Sequence, residues 1–196
     1  MRLFPLVFLL LLLFGGSHLQ AQDRRFTGRL IGGVNLAQID GDQLSGYNKL
    51  GAQAGIKVYS LLDERWSFSL GLLYSQQGSS RNVNDSPSAA LDRIQLNMVE
   101  APVMIHFTDW KFQVGAGLSY GRLINYTVED VFGDDVSDLQ AYTENLFQVA
   151  VGVTFHFTDR FGLNVRWSRQ INNLQADSGA GTYIARAVGI RGLYRL

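Results

Sequence analysis

The stretch Asn145-Leu-Phe-Gln-Val-Ala-Val-Gly-Val-Thr-Phe-His-Phe157 decides the fold. One parity carries Phe147, Val149, Val151, Val153, Phe155 and Phe157; the other carries Leu146, Gln148, Ala150, Gly152, Thr154 and His156. Side chains alternate across a strand, so a period of two this regular marks β structure with one apolar face. The same alternation runs through 66–75, 112–121 and 161–168, and more weakly through 27–38, 51–62, 92–108 and 182–196. Short turns at Asp63-Glu64-Arg65, Thr108-Asp109-Trp110 and Thr158-Asp159-Arg160 separate these segments in turn with long polar stretches near 39–50, 79–91, 126–142 and 173–181. The pattern predicts eight antiparallel strands in hairpin succession.

Which side the apolar face takes follows from volume. Eight strands enclose room for modest side chains or one small ligand. Turning the Phe, Trp, Tyr, Leu and Val of four strands inward overfills that space. The opposite face would then meet water, yet it is Gly, Ala, Ser, Gln and Thr, and charged residues are only 17% of the chain. A solvated surface usually carries about a quarter or more. The apolar face is therefore expected to meet hydrocarbon, with small polar groups in a narrow lumen. Unsatisfied backbone is excluded from hydrocarbon, which leaves a closed barrel. Trp66, Trp110, Phe157 and Phe161 at the short-turn ends, and Tyr74 and Tyr120 at the other, suit interfacial girdles. The expected fold is all-β: an eight-stranded antiparallel transmembrane β-barrel with short periplasmic turns and long external loops.

Residues 1–21 read as an export signal: a basic Met1-Arg2 start, an apolar run from Leu3 to Phe14, and Ala21 for cleavage. The barrel domain is then 22–196, in the outer membrane of a Gram-negative cell. No segment reaches the roughly 20 apolar residues of a spanning helix. Seventeen basic and seventeen acidic residues give no nucleic-acid footprint, and cysteine is absent. The fourth strand contains Pro102, and its apolar phase slips near Val99-Glu100, so a bulge is expected there.

Parity gathers Arg29, Lys57, Glu100, Arg166, Arg191 and Arg195 as candidate lumen charges. Buried charges pair or contact water, and Glu100 with Arg166 is the expected pair, in a polar plug. The echo Met104-Ile-His-Phe-Thr-Asp109 and Thr154-Phe-His-Phe-Thr-Asp159 offers His106 and His156 as a paired site, against the plainer account of two strand ends meeting one interface. Neither histidine has an evident Ser-Asp partner by spacing. The acidic run Glu129–Asp138 lacks calcium-loop spacing. No catalytic, cofactor or metal residues are therefore assigned, and no cofactor is expected.

The stretches Gly32–Lys49 and Trp66–Gly78, with Val99-Glu-Ala-Pro102, resemble PorT-like outer-membrane β-barrel proteins across essentially the whole exported chain. Ala101 and the terminal Leu196 depart from that pattern, where a bulky residue and an aromatic are more usual. The resemblance implies an outer-membrane barrel with a namesake tied to secretion. The expected role is binding, envelope organisation or secretion accessory through the external loops. Outer-membrane lipid surrounds a likewise expected monomer, and an envelope or secretion protein is the expected partner. A lipid hydrolase or a narrow pore are the alternatives.

Overall fold

The computed structural model describes residues 26–83, 85, 89–177 and 181–196; the expected export signal, 1–21, lies outside them. Eight strands form one closed antiparallel barrel: β1 (Phe26–Asp40), β2 (Lys49–Leu61), β3 (Trp66–Ser80), β4 (Leu91–Asp109), β5 (Phe112–Asp130), β6 (Asn145–His156), β7 (Phe161–Gln170) and β8 (Ile184–Arg195). Each strand pairs with its sequence neighbour, and β1 closes on β8 from Arg29 opposite Arg195 to Asp40 opposite Ile184. Three tight connections and both strand termini share one end, the turn end. The four long connections share the other, the loop end. The middle turn is shorter than expected: Thr108 and Asp109 belong to β4, and only Trp110 and Lys111 reverse the chain.

The outward face is the apolar one. Leu70, Leu72, Val103, Ile105, Val114, Leu118, Phe147, Val151, Val153 and Val165 are all solvent-accessible on the isolated chain. They form a belt too extensive for a water-soluble monomer. Around the turn end Trp110 lies near Phe112 and Phe155, with ring centroids 6.0 and 6.5 Å away. Near the loop end the Tyr74 hydroxyl donates to Asn97 and that of Tyr120 to Asn145, so each ring meets lipid while its hydroxyl keeps a polar partner.

The expected bulge at Val99-Glu100 is not there. Residues 94, 96, 98, 100, 102, 104 and 106 of β4 all point inward without a break. The β4–β5 register shifts instead between Asn97 and Met98, because Ile124 of β5 is the extra residue. Pro102, lacking an N–H, is accommodated where the β3–β4 ladder lapses between Leu70–Val103 and Leu73–Glu100 and then resumes in the same register. The apparent slip in β4 is a change of lumen chemistry: Ile94, Leu96 and Met98 are apolar residues facing in.

Glycines make room inside. A Cβ on Gly115 would lie 2.2 Å from Nδ1 of His106, and one on Gly71 would lie 2.7 Å from Cγ of Lys57. Both long polar side chains therefore cross the lumen over a bare neighbouring strand.

Val151 sits midway along the outward face of β6. Val151→Arg is expected to cost about 2–4 kcal/mol of barrel stability, as a cation at the bilayer midplane does. Urea midpoints in lipid vesicles report this directly. A neutral effect would contradict the assignment of the outer face to hydrocarbon.

Candidate functional site

The lumen has two chemically distinct layers. Toward the turn end it is polar and centred on Glu100, which is fully buried. Arg166 donates through Nη1 to Glu100 Oε2 at 2.9 Å, Gln77 donates to Oε1 at 2.9 Å, and Ser119 reaches Oε2 at 3.4 Å. Both carboxylate oxygens are thus occupied. A buried ion pair is tolerable when its lone pairs are satisfied in this way. Beside it Arg191 donates to Asn164 through Nε at 3.0 Å and to Gln53 through Nη1 at 3.3 Å. Lys57 Nζ lies 3.4 Å from the Met104 thioether.

The structure therefore brings together four of the six candidate lumen charges: Lys57, Glu100, Arg166 and Arg191. Arg29 stands nearer the turn end, half-buried, with its guanidinium 4.3 Å from the Tyr59 ring centroid and Nη1 donating to Gln113 at 3.2 Å. Arg195 is not a buried lumen charge. It is exposed and lines a cavity of about 570 Å³ at the turn end, with Arg29, Tyr59, Trp66, Trp110 and His156. Parity fixes the face of a strand but not the depth along it, and Arg195 is the last residue of β8.

The echoed histidines form no joint site. His106 is buried, with Nε2 2.7 Å from Ser69 Oγ and its ring centroid 5.1 Å from that of Tyr59, the two rings tilted by 42°. His156 lines the mouth cavity. His106 thus has the serine partner that spacing did not reveal, supplied by β3 across the β3–β4 ladder.

Toward the loop end the lumen is apolar, so the expected polar plug describes only half of it. Ile39, Ile94, Leu96, Met98, Leu123, Val128, Leu146 and Leu174 form one buried cluster. Its lid is built from the loops. Tyr142 packs edge-on against Tyr126 at 4.8 Å, and the Tyr126 hydroxyl donates to the Gln140 carbonyl at 2.7 Å. Backbone bonds from Thr143 to Leu174 and Ala176 to Ala141 stitch the third and fourth loops together, and one from Leu174 to Tyr183 closes the fourth on itself. From the first loop, Leu44 is buried and Asp42 accepts its amide at 2.9 Å.

The acidic run is a built turn. Asp130 Oδ1 accepts the amides of Phe132 at 2.8 Å and Asp134 at 3.0 Å, and Gly133 takes a positive φ of 86°. The carboxylate serves backbone donors, and Phe132 is left 86% exposed.

The family model described as "Outer membrane protein beta-barrel domain" matches residues 6–193. The chain belongs to this outer-membrane β-barrel family. Its fold and its place in the outer membrane follow from that membership together with the closed barrel. Solved structures similar to this family member include Neisserial surface protein A, at 16% identity and a TM-score of 0.48, covering 87% of this chain and 97% of that one. Another is Ail, the attachment invasion locus protein of Yersinia pestis, at 14% identity and 0.46, covering 87% and 98%. OprG of Pseudomonas aeruginosa stands at 11% and 0.41, covering 87% and 94%. No curated protein matches the chain.

Two outcomes follow for this barrel. Glu100→Ala strands Arg166 in the lumen and is expected to cost about 3–5 kcal/mol, whereas Glu100→Met with Arg166→Met costs much less. Urea unfolding of the three proteins measures the difference, and an equal loss in both variants would refute the pairing.

Burial raises the Asp42 carboxyl from 3.8 to about 6. The folded loop then holds its proton longer than the unfolded chain. Its stability is whole below pH 3.8, declines as pH rises through 6, and is lower above. Hydrogen exchange of amides 43–48 should show weaker protection at pH 7.5 than at pH 4, and Asp42→Asn should flatten the trend. Equal protection at both pH values in the native protein would disprove it.

Proposed function

We propose that the protein is a non-conducting outer-membrane barrel whose work is to bind an envelope or secretion protein through its external loops. In this reading residues 1–21 direct export, the turn end faces the periplasm, and the barrel stands as a monomer in lipid. It acts without a cofactor and without catalysis.

The observation that carries it is the construction of the loop end. The third and fourth loops are cross-linked by backbone hydrogen bonds over an apolar lumen. That platform leaves Phe132 and Leu139 in solvent at 86% and 79% exposure, beside Asp134 and Asp138. Preorganised loops bearing exposed apolar side chains are economical binding surfaces, because little ordering entropy is lost on contact. Resemblance to PorT-like proteins favours a secretion-associated partner within that class.

The pore alternative is disfavoured by the Glu100–Arg166 pair and the apolar layer stacked beyond it. The hydrolase alternative is disfavoured at its most suggestive point. Ser69 and His106 meet inside the lumen, away from lipid, and no carboxylate contacts His106 among the described residues.

Crosslinking in intact cells tests the binding role. Phe132→Asp with Leu139→Asp is expected to lower capture of the partner about 10–30-fold, the equivalent of roughly 2 kcal/mol. Unchanged capture would overturn the loop assignment, and steady single-channel openings in planar bilayers would overturn the closed lumen.

A further inference from the structure

The polar layer of the lumen is not electrically balanced. Lys57, Arg166 and Arg191 are 2–3% exposed, and the one carboxylate among them, Glu100, is bonded to Arg166. Among the described residues Arg166 Nε and Nη2 have no acceptor, and Lys57 Nζ has the neutral Met104 thioether. Arg191 spends its donors on the neutral amides Asn164 and Gln53. Adding Arg29 at the inner edge of the mouth increases the excess. Buried cations without counter-charge are among the costliest arrangements in a protein interior.

Between Lys57 and Arg191 lies a small, partly open cavity of about 10 Å³, bordered also by Tyr59, Met104, His106 and Asn164. That is room for one water-sized body. Its walls carry two cationic side chains and no carboxylate, and the Lys57 chain and the Met104 thioether are its adjustable parts. Tyr59 borders both this cavity and the 570 Å³ mouth, which places the cavity next to the turn end.

We propose that this cavity binds a single halide-sized monovalent anion, held by Lys57 and Arg191, which completes the charge balance of the lumen. The site is independent of the loop surface and of whatever binds there. Its water-sized room selects for small size and single charge, against a polyatomic oxyanion such as sulfate.

The test uses the full barrel refolded in detergent or vesicles. Urea unfolding is followed in sodium chloride, bromide and gluconate at constant ionic strength, with halide varied against gluconate. Binding to the folded state alone predicts that, at halide well above the dissociation constant, each tenfold rise multiplies the folded-to-unfolded ratio by about ten. Lys57→Met should abolish that dependence, and Lys57→Arg should retain it. Should Lys57→Met fail to assemble, anomalous diffraction from crystals of the unaltered protein grown in bromide decides: a peak between Lys57 and Arg191 supports the site. Equal stability in halide and gluconate, or no bromide peak in the cavity, would overturn the proposal.

Discussion

The rest of the structure depends on closure of β1 against β8. In hydrocarbon no water is present to satisfy an unpaired N–H or C=O, so an open sheet edge is forbidden. The twelve residue pairs from Arg29–Arg195 to Asp40–Ile184 remove both edges at once. With the backbone satisfied, the side chains sort by solvent. The apolar parity goes out to lipid, and the opposite parity is confined to a lumen that eight strands leave narrow. The interior must then be packed like a small protein core while holding mostly polar groups.

The chain solves that constraint by dividing the lumen. One layer is a hydrogen-bonded charge network around Glu100, and the other is an apolar cluster closed by Tyr142, Leu174 and Leu44. The two layers have different consequences. The apolar layer gives the described residues of the first, third and fourth loops a floor to pack on. The polar layer fixes β3, β4, β5 and β7 relative to one another through Gln77, Glu100, Ser119 and Arg166, one from each strand. Register is thereby specified from inside, where the hydrophobic effect has little to contribute.

Much of this was legible in the sequence. Strand count, the places of the loops, the lipid-facing parity and the Glu100–Arg166 pair all follow from period-two patterning and the cost of an unpaired buried charge. What escaped was depth and long-range partnership. Arg195 has the correct parity but sits at the rim. Ile94, Leu96 and Met98 resemble a phase slip because apolar residues elsewhere in the barrel face out, whereas parity counted back from Glu100 places them inside. The Ser69–His106 contact joins residues from neighbouring strands, and nothing in their local spacing reports it. The stitching of the third and fourth loops is backbone bonding, to which sequence patterns are blind.

Lipid, and not protein interior, solvates the face bearing Val151. The chain has no cysteine, so Val151→Cys and Ala150→Cys each give one unique spin-labelling position. In vesicles the Val151 label should relax strongly with oxygen, which concentrates in lipid, and weakly with a water-soluble nickel chelate. The Ala150 label should be shielded from both. A Val151 label shielded from oxygen, on a chain that stays folded and monomeric in buffer without detergent, would contradict the account.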